Sequence, residues 1–98
     1  MGNSKLYCVY ILSNFSRTVL YTGVTGNLVK RVWQHKNELA EGFTKKYKVH
    51  DLVYFEAYED PKEAIEREKQ IKNYSRKRKE EIILKFNPTV KDLYSEIV

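Results

Sequence analysis

The chain has little of what makes cross-links, membrane spans or flexible tethers. Its one cysteine, Cys8, cannot form an internal disulfide, so a reducing, cytoplasmic setting is the expectation. Cys8 lies inside an apolar run with no neighbouring His and no CxxC partner, which makes it a small buried hydrophobe rather than a reactive thiol. No stretch of 18 apolar residues occurs and no basic-then-apolar leader opens the sequence, so neither membrane insertion nor secretion is expected. Glycine numbers four and proline two, without a repeat, linker or low-complexity segment. There is no His/Cys cluster with zinc-ligand spacing and no glycine-rich phosphate loop.

What is present describes a folded, basic domain. Ninety-eight residues make one domain, 1–98, with its core within about residues 5–87 and Met1 to Lys5 as a loose terminus. A hydrophobic share of 42% with 13% aromatics argues against disorder. Eight tyrosines suit a shallow, partly wet sheet, since tyrosine packs its ring and keeps its hydroxyl in water. The formal net charge of +5 permits a polyanionic partner.

The pattern along the chain is β-β-α-β-α-α with a short last helix. Tyr7–Leu12 and Val19–Val24 are apolar, β-branched and aromatic runs either side of a turn at Asn14–Arg17. They predict a hairpin which, if symmetric about the turn, sets Tyr10 opposite Tyr21. Gly26–Asn27 punctuates the chain and a helical period starts at Leu28. Leu28, Val29, Val32, Trp33 and Leu39 form its apolar stripe, with Arg31 and His35 one turn apart at the edge of that stripe. That edge is either a solvated flank or the wall of a cleft. Ala40–Glu41–Gly42 ends the helix. Phe43–His50 has no period and reads as an exposed loop, where Lys45 and Lys46 beside aromatics suit nucleic-acid contact. His50 reads as loop surface. Leu52–Tyr58 is a third strand. Asp60–Pro61 opens a helix to about Tyr74, Ser75 caps another ending near Phe86, and Asn87–Pro88 opens a short one to about Glu96. The class is α+β, a small three-stranded sheet covered by helices.

One carboxylate is out of place. On the helix from Pro61, the apolar stripe is Ala64, Ile65 and Ile71, and Glu68 projects into it. An inward carboxylate needs a partner. Lys72, four residues on, is one, and a hard cation is another. Downstream, Arg76-Lys77-Arg78-Lys79 crowds a helix N-terminus with cations, against the macrodipole. A phosphate-facing surface accounts for that cost.

Cys8-Val9-Tyr10, Tyr21-Thr22-Gly23, then Arg31 and His35 four apart on the next helix, and Glu68 later, together resemble the GIY-YIG nuclease pattern. The likeness extends over the whole chain and is closest to the small, single-domain members of that superfamily. It implies a three-stranded antiparallel sheet packed with helices. It also implies a metal-dependent endonuclease hydrolysing phosphodiester bonds in DNA, in a repair or processing role. By that resemblance Tyr10, Tyr21, Arg31, His35 and Glu68 are catalytic, Glu68 holds Mg²⁺ or Mn²⁺, and Gly23 completes the second motif. Asn87, with Asn73 behind it, is the candidate for the family's late asparagine. Lys45, Lys46, Lys72, Arg76 and Arg78 are the expected nucleic-acid contacts, with no protein partner indicated. Cys8, Val9 and Thr22 depart from the motif letters at strand positions. Two further readings stand beside this one: a nucleic-acid-binding module of the same fold without turnover, and a protein-interaction domain using the aromatic sheet.

Overall fold

The computed structural model describes residues 5–40 and 42–98. The loose terminus expected over Met1–Lys5 falls outside these except for Lys5, as does Glu41 at the expected end of the first helix.

Three strands, β1 (Tyr7–Ser13), β2 (Leu20–Thr25) and β3 (Asp51–Tyr58), form one antiparallel sheet in the order β2-β1-β3. The most apolar run, β1, is therefore the central strand. Its alternate residues feed two separate cores, as the period of two requires. Val9 and Ile11 join Val53, Tyr54, Ala64, Ile71 and Ile83 on one face. Tyr10 and Leu12 join Val32, Val49, Leu52 and Leu93 on the other. The helices that cover the sheet are α1 (Leu28–Lys36), α2 (Phe43–Lys46), α3 (Pro61–Lys72), α4 (Arg76–Phe86) and α5 (Tyr94–Ile97).

The helix starts are set by their caps. Asp60 and Ser75 accept from the backbone N–H of Lys62 and Arg78, with Pro61 in the first turn of α3. Asn27 accepts from Lys30 in the same way and starts α1 two residues after β2 ends.

Several expectations are corrected. Tyr10 pairs with Gly23, not Tyr21, and Tyr21 pairs with Leu12. The reason is the asymmetric loop between the strands. Asn14 Oδ1 accepts from the backbone of both Thr18 and Val19, and Arg17 is left-handed at φ 63°. Tyr21 is then diagonal to Tyr10, two residues along from Gly23, and on the same face. The first helix ends at Lys36, and its buried residues are Val32 and His35, with Val29, Trp33 and Leu39 exposed. Phe43–His50 is not an open loop, since α2 forms there and Thr44 and Val49 are buried. Half-buried His50 is not simply loop surface either. On α3 the buried set is Ala64, Glu68 and Ile71, while Ile65 faces outward. The last helix covers only Tyr94–Ile97.

Candidate active site

The cleft grows out of β1, β2 and the helix that follows. Tyr10 lies across its sheet partner Gly23. A Cβ on Gly23 would fall 2.5 Å from the Tyr10 hydroxyl oxygen and 2.6 Å from Cζ. The glycine is thus required by close approach, since nothing larger leaves room for the ring. The Tyr10 and Tyr21 rings sit 6.4 Å apart, and His35 lies 6.1 Å from the first and 5.9 Å from the second.

His35 is one of the two buried residues of α1, and its imidazole is engaged on both nitrogens. Nε2 is 3.4 Å from the Tyr10 hydroxyl, and Nδ1 is 2.9 Å from Thr44 Oγ1. A contact of 3.4 Å is long for a hydrogen bond. Burial, helped by the Arg31 charge and by His50, holds the His35 pKa below its ordinary value, so the ring is neutral near pH 7. Burial also pushes the Tyr10 phenol up to about 12, with Tyr21 adding to the rise and the Arg31 guanidinium opposing it. At neutral pH two uncharged groups face each other.

Arg31, one turn before His35, is exposed at the lip and makes no ion pair with the described residues. It lines a cleft of about 470 Å³ with Tyr21, Gln34, His35, Leu39, Ala40, Phe43 and Thr44. The Phe43 ring stacks on Tyr21 at 6.1 Å, and the Tyr47 ring lies 4.7 Å beyond it. The rings make an aromatic row leading from the cleft to solvent, with the Lys46 ammonium over Tyr47.

Glu68 is buried on α3, with Oε2 held at 2.6 Å by Lys72. That hydrogen bond raises the Lys72 pKa. The Glu68 charge reaches the Tyr10 phenol, and Lys72 feels Tyr21, so this edge of α3 belongs to the same electrostatic neighbourhood. Among the described residues no three His, Cys, Asp or Glu side chains gather as a ligand set. A single carboxylate suits Mg²⁺, which keeps most of its waters and takes the rest of its shell from substrate phosphate, and does not suit a structural metal.

The match to family sequences is consistent with this geometry: the GIY-YIG catalytic domain matches residues 6–81. This chain belongs to the GIY-YIG family. Among its relatives, a UPF0213 protein of Clostridium perfringens is 41% identical over 75 residues, covering 76% of this chain and 80% of that one. A UPF0213 protein of Natronomonas pharaonis is 36% identical over 75 residues, covering 76% and 87%. The solution NMR structure of a UPF0213 protein from Bacillus halodurans superposes with a TM-score of 0.51 at 28% identity, covering 80% of this chain and 82% of that one. The three-stranded antiparallel sheet with flanking helices is therefore the fold of this group. The chain carries a nuclease-family catalytic domain, and no helix among the described residues is long and apolar enough to cross a membrane.

The remaining sequence candidates are spread more widely. Lys45 and Lys46 are exposed on α2, and Lys46 sits over Tyr47 at the outer end of the aromatic row. Arg76 is committed to the β1–β2 loop, donating to the carbonyls of Arg17 and Thr18 and pairing with Glu80. Arg78 lies over the Tyr74 ring. Asn87 is buried as the cap of α4, and its Nδ2 donates to the carbonyls of Val53 and Lys91. Asn73 ends α3 as its C-cap. Thr22, between the two motif residues of β2, is buried with no partner for its hydroxyl among the described residues. Sequence reasoning missed Thr44 and Phe43. They lie in a polar segment whose period gives no hint that one is buried and the other faces the cleft.

Proposed function

We propose that the domain is a metal-dependent endonuclease that hydrolyses phosphodiester bonds in DNA. The observation that carries this reading is the pairing of neutral Tyr10 with neutral His35 beneath the Arg31 guanidinium, which has no ion pair among the described residues. A phenol near 12 cannot serve as a base by ionising at neutral pH. It can pass a proton on. Water attacks phosphorus and gives its proton to the Tyr10 oxygen, while the phenol's own proton moves to His35 Nε2. The P–O bond to the leaving oxygen breaks, that oxygen is protonated from solvent, and the imidazolium later releases its proton. Arg31 holds the phosphate by charge-assisted hydrogen bonds and meets the negative charge that grows on it. Glu68 is the residue that would hold Mg²⁺ or Mn²⁺, which when bound would neutralise phosphoryl charge and relieve the leaving oxygen. Lys45 and Lys46 contact neighbouring phosphates, and Phe43 and Tyr47 offer faces to bases. Lys72, Arg76 and Arg78 lie beyond the cleft and serve the wider phosphate track.

The test is Mg²⁺-dependent nicking of plasmid and branched DNA by wild type and Glu68→Gln, with melting temperatures measured alongside. Glu68 is buried and Lys72 half exposed, so the amide removes a buried charge while it frees a lysine that water can solvate, and the two effects oppose each other. The variant should melt close to wild type and lose cleavage by about a hundredfold or more, roughly 2.7 kcal/mol of transition-state stabilisation. Equal cleavage by both proteins would end the metal-site reading. DNA binding without cleavage by wild type would leave a binding module of the same fold.

A further inference from the structure

Thr44 is buried, nine residues beyond His35, on the four-residue helix α2. Its hydroxyl meets His35 Nδ1 at 2.9 Å, a firmer contact than the 3.4 Å from Nε2 to Tyr10. A neutral imidazole carries one proton, and its position decides which neighbour it can serve. A threonine hydroxyl can donate or accept, so the direction has to come from the other side of the ring.

That side is determined by Tyr10. Its hydroxyl has one proton to place. Arg31, beside it, has donors only, so it can satisfy the oxygen but not take the proton. The His35 Nε2 atom is the acceptor at hand among the described residues. Tyr10 therefore donates to Nε2, Nε2 is bare, and the ring proton sits on Nδ1. Thr44 Oγ1 must then accept.

We propose that Thr44 is a positioning residue: by accepting from Nδ1–H it holds His35 in the Nδ1–H tautomer and turns a bare Nε2 toward the Tyr10 hydroxyl. Without it, the ring can take up the Nε2–H form, which donates to Tyr10 and cannot receive its proton. The same bond fixes the ring plane, since among the described residues the only other hydrogen-bond contact of the His35 ring is Tyr10. It also ties α2 to α1 across the bend at Gly42, whose φ of +91° suits glycine. The lip carrying Phe43 and Lys46 is thereby seated against the acid–base pair.

The proposal rests on the endonuclease reading for its kinetic consequence but not for its chemical one. The tautomer is read by long-range ¹H–¹⁵N correlation on the His35 ring, without turnover. Wild type should show Nδ1–H. Thr44→Val, close in shape but without an acceptor, should shift the ring toward Nε2–H. It should also lower kcat about tenfold to a hundredfold with KM little changed, the scale seen when a group orienting a functional histidine is lost. Thr44→Ser should restore both. Wild type in the Nε2–H form overturns the proposal. So does Thr44→Val with an unchanged tautomer, or Thr44→Ser failing to recover a tautomer that Thr44→Val has lost. A wild type that cleaves no substrate while showing the expected tautomer shift would remove the nuclease reading and leave this assignment intact.

Discussion

The cluster around Glu56 and the cleft around Tyr10 each combine tyrosines, an arginine and a glutamate, and α3 gives Arg67 to the first and Glu68 to the second. Around Glu56 every strong donor is used. Arg67 donates from Nε and Nη2 to the carboxylate and from Nη1 to Gln70 and Tyr74. Tyr54 donates to the same carboxylate, and Tyr58 does so at 2.6 Å. Around Tyr10 the arginine has no acid among the described residues, the glutamate is held by a lysine instead, and the tyrosine meets its histidine only at 3.4 Å. Similar side chains thus form a closed structural knot in one place and an open one in the other. The number of donors left over separates them, since unused hydrogen-bonding capacity beside a cleft can be turned on a ligand.

Swapping the loss between the two arginines breaks this comparison most sharply. Arg31→Ala should lower kcat by about 10²–10³ while barely moving the melting temperature, because its guanidinium has no ion-pair partner among the described residues to abandon. Arg67→Ala should leave cleavage near wild type and cost about 1–3 kcal/mol of stability, because a partly buried carboxylate loses its charged donors. Nicking rates and thermal melts of both variants decide the matter, and the opposite pattern would reverse the two roles.

Gly23→Ala should come next in size. The new methyl meets the Tyr10 oxygen and ring edge, so it must displace the phenol from His35. Cleavage should drop by more than about tenfold, with a stability cost of about 1–3 kcal/mol for overpacking. A variant that nicks DNA normally would show that the seat of the ring is not critical.

The smallest and most graded effect is that of pH. His35 has its pKa lowered from 6.5 and must be neutral to accept. Turnover should therefore hold at neutral pH and fall as pH drops through a value below 6.5. Glu56 behaves differently. Burial alone would raise its pKa, but the hydrogen bonds from Arg67, Tyr54 and Tyr58 prevail and hold it below 4.5. A carboxylate depressed in the fold adds stability that is present above its unfolded pKa and lost as pH falls through the folded one. Cleavage rates against pH and melting temperatures against pH should thus part, activity failing first and the fold only in stronger acid. Coincident profiles would mean that the cleft is not titrating on its own.

Much of this was legible in the sequence because it rests on short-range rules. The strands follow from alternating apolar runs, α3 and α4 from Asp60–Pro61 and Ser75, and the tyrosines share a face under any even register. The pairing itself was not legible, because Asn14 and Arg17 shape a loop that shifts Tyr10 onto Gly23. Apolar ranking placed Trp33 and Leu39 inside, yet His35 is inside, since Thr44 and Tyr10 supply partners that no local pattern reveals. Glu68 stood out as an inward carboxylate, and both of its suggested partners remain relevant: Lys72 holds it, and a cation is the proposed addition. Arg76 looked like a phosphate contact by charge alone, while its bonds to the carbonyls of Arg17 and Thr18 give it a second occupation.

Between the last residue of β2 and the first of α1 lie only Gly26 and Asn27, and the second of these already caps the helix. The join therefore acts as a rigid gauge. One residue more or less would turn α1 by about 100° about its axis, swinging Arg31 out of reach of the tyrosines and pulling His35 from its pocket. A change of length at that join would thus dismantle the cleft, whatever residues it added or removed.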